Sequence, residues 1–165
     1  MKKNIKSIAV AIILLVTIQM AHAQTTNFLG IWKRNDTKTK VDKLISINSV
    51  PTNLQIDQNV KSITIAKTNK DGNGVVSSYS TTLKFDGSES TEVTPSKLYR
   101  TSKVLWSADH QFLLETAVSK DDQGNIKQTY KYTYALEEGG KTLKISAELT
   151  ANEQNYQLTE VFDRQ

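Results

Sequence analysis

Three tyrosines at alternate positions are the first residues whose types and spacing suggest a function. Alternate side chains of a β-strand point to the same side, so Tyr130, Tyr132 and Tyr134 share one face of a strand. Lysines occupy the other face, and the tyrosine rings are therefore expected to point inward. Such a stripe forms either a core layer, whose hydroxyls form hydrogen bonds with the backbone or with water, or a cavity wall that offers a ligand aromatic surface and phenol donors.

Arg100 is the second candidate, because it shares a strand face with Leu98, Val104 and Trp106. An inward arginine needs a protein acceptor or a ligand anion, since a lone buried charge is costly. Alternatively, Arg100 lies near a strand end and its long side chain reaches solvent. The predicted ligand-binding residues are Tyr79, Arg100, Trp106, Tyr130, Tyr132 and Tyr134.

Residues for catalysis or metal binding are scarce beyond residue 23. That part of the chain has no Cys and one His, His110, in a predicted turn, which excludes a Cys nucleophile and a His-rich zinc site. Asp71, Asn73, Asp121 and Asp122 do not have EF-hand spacing, and turn chemistry accounts for them. We therefore predict no catalytic residue, no metal and no cofactor.

Two carboxylates keep an enzyme among the alternatives. Glu115 and Glu160 could act as a pair if both faced inward, and spacing alone does not decide this. A barrel enzyme using Tyr, Arg and carboxylates is the third hypothesis for function, although tyrosine and arginine make a poor general-base set at neutral pH.

The elements that position these residues are short strands separated by turns. Turn sequences such as Asp71-Gly72-Asn73-Gly74 and Asp121-Asp122-Gln123-Gly124 separate runs of period-two alternation. Four predicted strands have clear bounds: 28–35, a short one near 89–94, 97–107 and 126–136. Six further strands are indicated by alternating residues: Leu54 and Ile56; Ile63 and Ile65; Val75, Tyr79, Leu83 and Phe85; Phe112, Leu114, Thr116 and Val118; Leu143 to Leu149; and Tyr156 to Asp163.

This pattern predicts an all-β fold, an antiparallel up-and-down β-barrel of about eight to ten strands. The connections after residue 53 are short, which favours pairing between consecutive strands, and a half-open sandwich is the main alternative. Residues 36–52 are the least regular part. They are expected to form a short helix or an extended lid over one barrel mouth.

The stretch Asn27 to Lys33 carries a resemblance to a known family. Its F-x-G-x-W pattern, formed by Phe28, Gly30 and Trp32, resembles the first strand of the lipocalin-like (calycin-type) small secreted β-barrel proteins of Gram-negative bacteria. The resemblance implies a lipocalin-like barrel with one ligand cavity. It also implies that Trp32 packs beneath a basic side chain from the last strand, for which Arg164 is the match. The predicted closure residues are Phe28, Gly30, Trp32 and Arg164.

Residues 1–23 are predicted to be a signal peptide, with a basic head, an apolar run and the small-x-small site Ala21-His22-Ala23. The barrel domain would then be residues 24–165, exported to the periplasm or the extracellular space without a stable membrane anchor. Removing the leader's three lysines from 21 basic side chains leaves 18 against 17 acidic ones. This near-neutral balance argues against a nucleic-acid partner.

Together these observations predict a monomeric, non-catalytic protein that binds a small, largely hydrophobic ligand in its barrel. The alternative is a protein-binding or inhibitory module that acts through its loops and has a filled interior.

Overall fold

A computed structural model describes residues 25–165, so the predicted leader and its cleavage before Gln24 lie outside the described residues. Ten strands account for most of this part of the chain. They are β1 Gly30–Arg34, β2 Asn53–Gln58, β3 Ser62–Lys70, β4 Val76–Lys84, β5 Ser90–Val93, β6 Tyr99–Trp106, β7 Leu113–Lys120, β8 Ile126–Glu137, β9 Thr142–Ala151 and β10 Gln154–Arg164. Short 3₁₀ turns lie at Ile47–Ser49 and Glu138–Gly140. Within residues 25–165, no helix is long and apolar enough to cross a bilayer.

All ten strands belong to one antiparallel sheet that curls into a nearly closed barrel. Apart from β4 and β5, each strand pairs with its neighbours along the chain, and β1 pairs with β10, where Trp32 lies opposite Arg164. Between β4 and β5 the described residues form no strand ladder, and a hydrogen bond from the Thr81 hydroxyl to the Glu92 carboxylate joins them instead. The predicted all-β, up-and-down barrel of about eight to ten strands is thus confirmed, and the structure has ten.

Residues 36–52, which we call the lid segment, form an extended connection with one 3₁₀ turn rather than a helix. Lys40 bridges to Thr159 of β10, and the Ile47–Ser49 turn contacts β3. The Arg34 guanidinium holds the turn by donating to the carbonyl oxygens of Ile47 and Val50, at 2.9 and 2.7 Å. The segment is therefore fastened to the barrel at what we call the lid end; the opposite end, near Phe28, is the closed end.

Inward side chains change character halfway along the barrel. Towards the closed end they are apolar and buried, as Ile63 and Leu83 are. Towards the lid end the same strand faces carry polar groups. Lys67 lies two residues after Ile65 on β3, and Glu160 lies two residues before Phe162 on β10, so each points to the same side as that apolar residue. The inward residues of this lid half are Lys67, Asn69, Tyr79, Thr81, Ser90, Glu92, Arg100, Ser102, Glu115, Ala117, Ser119, Gln128, Tyr130, Tyr132, Ala147, Leu149, Tyr156, Leu158 and Glu160.

Two features of the predicted strand pattern are wrong. On β7 the apolar residues Phe112 and Leu114 are exposed, and the inward face carries Leu113 and Glu115 instead. Glu115 turns inward because Arg100 on the neighbouring strand supplies its partner. On β8 a register shift opposite Ser119 and Lys120 leaves Ile126 exposed, although it alternates with the inward tyrosines in sequence.

Candidate functional site

Arg100 is the centre of a buried polar cluster in the lid half. Its Nη2 donates to Glu115 Oε1 at 2.8 Å, and the same oxygen accepts from the Ser102 hydroxyl at 2.9 Å. The other oxygen, Oε2, accepts from the Tyr134 hydroxyl at 2.6 Å. Burial is the largest single influence and raises the pKa of Glu115, but Arg100, Lys67 and the hydrogen bonds from Tyr134 and Ser102 together outweigh it and hold that pKa below its ordinary value. The structure thus gives Arg100 a partner within the protein.

The tyrosine stripe faces the barrel interior. Tyr134 is buried, whereas Tyr130 and Tyr132 are half-buried and stack with ring centroids 5.4 Å apart. The Arg100 guanidinium carbon lies 4.8 Å from the Tyr130 centroid and 5.3 Å from that of Tyr132. Burial raises the pKa of Tyr132 and Tyr134, so both phenols are neutral donors at physiological pH.

Lys67 reaches across the interior from β3 to the tyrosines. Its Nζ lies 5.6 Å from the Tyr79 ring centroid and 5.9 Å from that of Tyr132. Among residues 25–165 it forms no ion pair; its ammonium lies beside these two rings and acts only at longer range on the Glu115 and Glu160 carboxyl groups. Lys67 therefore offers donors to whatever occupies this part of the barrel.

Glu160 faces the same space from β10. It is half-buried, shares its strand face with Leu158 and Phe162, and has no hydrogen-bond partner within the described chain. Burial raises the pKa of Glu160 to about 7, and Lys67 and Arg100 only partly oppose the rise. The carboxyl group therefore changes protonation state near neutral pH.

Three further polar atoms of the lid half are buried without a hydrogen-bond partner in the described residues: Asn69 Oδ1, Ser90 Oγ and Glu92 Oε1. Such atoms are uncommon in folded proteins because each loses its bond to water. Ser90 and Glu92 lie on β5, beside the gap in the sheet. Polar groups of water or of a ligand would satisfy these atoms, which makes the lid half a poor lining for a purely apolar molecule.

Trp106 is separated from the other predicted ligand-binding residues. It lies at the closed end, stacked on Phe28 at 5.9 Å and against Phe85 at 5.2 Å between ring centroids. The exposed His110 stacks on its other side, in a cleft of about 460 Å³. Arg100, Tyr79, Tyr130 and Tyr132 come together in the lid half, and Tyr134, whose ring lies 6.5 Å from that of Phe28, is linked to them by its hydrogen bond to Glu115. Trp106 does not join them.

The predicted closure residues meet where the first and last strands pair. Trp32 is fully buried, donates from Nε1 to the Phe28 carbonyl oxygen at 3.0 Å, and lies 4.3 Å from the Arg164 guanidinium carbon. Arg164 also donates to the Leu29 carbonyl oxygen at 2.8 Å. Gly30 has a φ of +145°, and a Cβ there would lie 3.2 Å from Arg164 Nη1. A larger residue at position 30 would press on the guanidinium.

The chain is similar to a known protein in structure but not in sequence: no family model and no curated protein sequence matches it. In structure it is similar to zebrafish ileal bile acid-binding protein complexed with cholic acid, with a TM-score of 0.52 and 15% identity over 84% of this chain and 98% of the other. At this identity the likeness shows the fold, a calycin-type β-barrel. The narrower expectation of a bacterial lipocalin-like family has no sequence match to support it.

Sequence reasoning did not single out Lys67 or Glu92, and it left the orientations of Glu115 and Glu160 open. Two of them were detectable from the alternation: Lys67 lies two residues after Ile65, and Glu160 lies two residues before Phe162. Lysine and glutamate are usually exposed in strands, so residue type alone does not indicate their inward direction. The lid half can therefore offer a ligand both aromatic surface and groups of either charge.

Proposed function

We propose that this protein binds a small amphipathic ligand, largely hydrophobic but with polar groups, in the lid half of its barrel, and that it does so without catalysis. The observation that carries this proposal is the contrast between the two halves of the interior. The closed half is filled by buried apolar side chains, whereas Lys67, Tyr79, Tyr132 and Glu160 in the lid half keep part of their surface accessible.

The chemistry of the lid half indicates which ligand would fit. The tyrosine rings provide apolar surface, Lys67 and the phenols of Tyr79 and Tyr132 provide donors, and Glu160 provides an acceptor. A ligand that combines an apolar body with acidic or hydroxyl groups could meet all of these demands. The structural neighbour in zebrafish carries cholic acid, and the shared fold makes an interior site the natural place to test.

A blocking substitution tests the proposal. Ala147 is buried and points inward opposite Tyr132, whereas its neighbour Ser146 points outward and is exposed. Ala147→Trp should abolish binding of a dansyl-labelled fatty acid, measured by fluorescence titration, and Ser146→Trp should leave it unchanged. Circular dichroism and a melting curve show whether each variant folds, and Ala147→Leu is the milder choice if the larger ring is not tolerated.

Equal binding by both folded tryptophan variants would place the ligand outside the barrel interior. A lack of binding by the unaltered protein, together with a protein that co-purifies from its host, would instead favour the loop-mediated interaction module with a filled interior.

We also propose that the protein is exported, with cleavage before Gln24. The basic head, apolar run and Ala21-His22-Ala23 site support this. The intact mass of the protein from its own host should lack residues 1–23. An exported product that retains those residues would contradict the proposal.

A further inference from the structure

Lys67 and Glu160 are inward residues of opposite charge in the lid half, and their charges interact at longer than ion-pair distance. Of the inward ionisable groups in the lid half, Arg100 is paired with Glu115, and Glu92 accepts from the Thr81 hydroxyl and lies 3.9 Å from Arg100. Within the described residues, Lys67 and Glu160 have neither an ion pair nor a hydrogen bond, and they are not close enough to form an ion pair with each other.

We propose that Lys67 and Glu160 together bind the acidic group of an amphipathic ligand, Lys67 as the cation and Glu160 as a neutral carboxylic acid that donates its proton in a hydrogen bond. This inference rests on the proposed function and names its polar subsite. It further implies that deprotonation of Glu160 weakens the binding of acids.

Arg100 is not available for this role. Its guanidinium is hydrogen-bonded to Glu115 and lies beside the stacked rings of Tyr130 and Tyr132, so a ligand anion would have to displace a buried partner. The Lys67 ammonium carries three donors, and its near neighbours are the ring faces of Tyr79 and Tyr132. Binding an anion there removes no existing ion pair of Lys67.

The surroundings of Glu160 explain why both of its protonation states are accessible. The charged or titratable groups that face it are Arg34 from β1, Lys67 from β3, Arg100 from β6 and Tyr132 from β8. The adjacent strand β9 presents Ile145, Ala147 and Leu149, which are apolar. Arg34 is held by Asp36 and the lid segment, and Arg100 by Glu115, so Lys67 is the cation left to offset Glu160.

The experiment compares two probes that differ only in the charge of the head group, a dansyl-labelled undecanoic acid and its primary amide. Affinity for each is measured by fluorescence titration between about pH 6 and about pH 8.5, a range in which the acid stays ionised. The acid should bind the unaltered protein more tightly than the amide at about pH 6. Its affinity should then fall by up to about tenfold per pH unit above the Glu160 pKa of about 7, while the amide shows no such fall.

Two variants assign the effects to residues. Lys67→Met should weaken binding of the acid by about ten- to a hundredfold, the range of one charge-assisted hydrogen bond, and change binding of the amide little. Glu160→Gln should hold the acid's affinity level across the pH range, which also separates Glu160 from His110 at the closed end. Lys131→Met and Glu148→Gln are the matched controls, because these two residues pair on the outer surface at 3.8 Å.

Equal affinity for acid and amide at every pH would overturn this inference and leave the proposed function standing. A pH profile that survives in Glu160→Gln would also overturn it, since another group would then control binding. Failure of both probes to bind would refute the proposed function and the inference with it. If Lys67→Met does not fold, the preference for acid over amide in the unaltered protein still decides the question.

Discussion

Replacing Arg100 with leucine should destabilise the barrel by about 3–5 kcal/mol, the cost of leaving one partner of a buried ion pair without the other. Arg100 and Glu115 are only 6% and 3% exposed, and the guanidinium supplies the one positive charge within hydrogen-bond distance of Glu115 in the described chain. The hydroxyls of Ser102 and Tyr134 would remain as donors to Glu115, but neither of them carries a charge.

The loss in Arg100→Leu should depend on pH. Burial is already the largest influence on the pKa of Glu115, and without the guanidinium only Lys67 and the Tyr134 and Ser102 hydroxyls oppose it, so we expect that pKa to rise above its ordinary value of 4.5. The folded variant then retains a proton that the unfolded chain releases. Its stability should therefore fall as pH rises above about 4.5, by at most about 1.4 kcal/mol per pH unit, until the raised pKa is passed.

Urea unfolding of each variant, followed by circular dichroism at several pH values, measures this effect. Adding Glu115→Gln to Arg100→Leu should recover much of the lost stability and remove the added pH dependence, because the amide is uncharged. Its single oxygen still accepts from one of the two hydroxyls, Tyr134 or Ser102, and its NH2 group faces the other. If Arg100→Leu stays within about 1 kcal/mol of the unaltered protein at every pH, the buried ion pair does not exist in solution.

Three further outcomes are expected in the same urea assay. Trp32→Ala should lower the free energy of unfolding by about 3–5 kcal/mol, because it truncates a buried aromatic side chain. A double-mutant cycle with Arg164→Ala should give a coupling energy of about 0.5–2 kcal/mol, and zero coupling would refute the cation–π contact. Tyr134→Phe should cost about 1–3 kcal/mol and Tyr132→Phe less, because the Tyr134 hydroxyl bonds Glu115; equal costs would contradict that bond. Glu160→Gln should stabilise the protein by about 1–3 kcal/mol near pH 8 but not below pH 4.5, because the raised pKa makes the charged form costly; no difference between the two pH values would refute that shift.

The barrel was predictable because its signals are local. Turn residues such as Asp71-Gly72 end each strand, and the regular spacing of strands and turns leads to a meander that closes on itself. The inward direction of Tyr130, Tyr132 and Tyr134 followed from Lys127 and Lys131 on the opposite strand face, since a strand that alternates aromatic and polar or charged residues has one inner face.

The polar interior was not predictable by the same rule. On β7 the outward Phe112 and Leu114 are more apolar than the inward Glu115 and Ala117, so hydrophobic alternation selects the wrong face. Only the partner on the neighbouring strand, Arg100, makes the inward Glu115 favourable, and strand register is not visible in one sequence. The distances that bring Lys67 to Tyr132 across the barrel depend on its curvature, which no local pattern contains.

The central claim is that the ligand lies inside the lid half. The most direct measurement is isotope-filtered NMR of labelled protein with the dansyl-labelled acid bound. Contacts from the probe to Tyr79, Tyr132 and Leu158 are expected. Contacts confined to the closed-end cleft beside Trp106 and His110, or to the exposed outer-face Leu105, would contradict it.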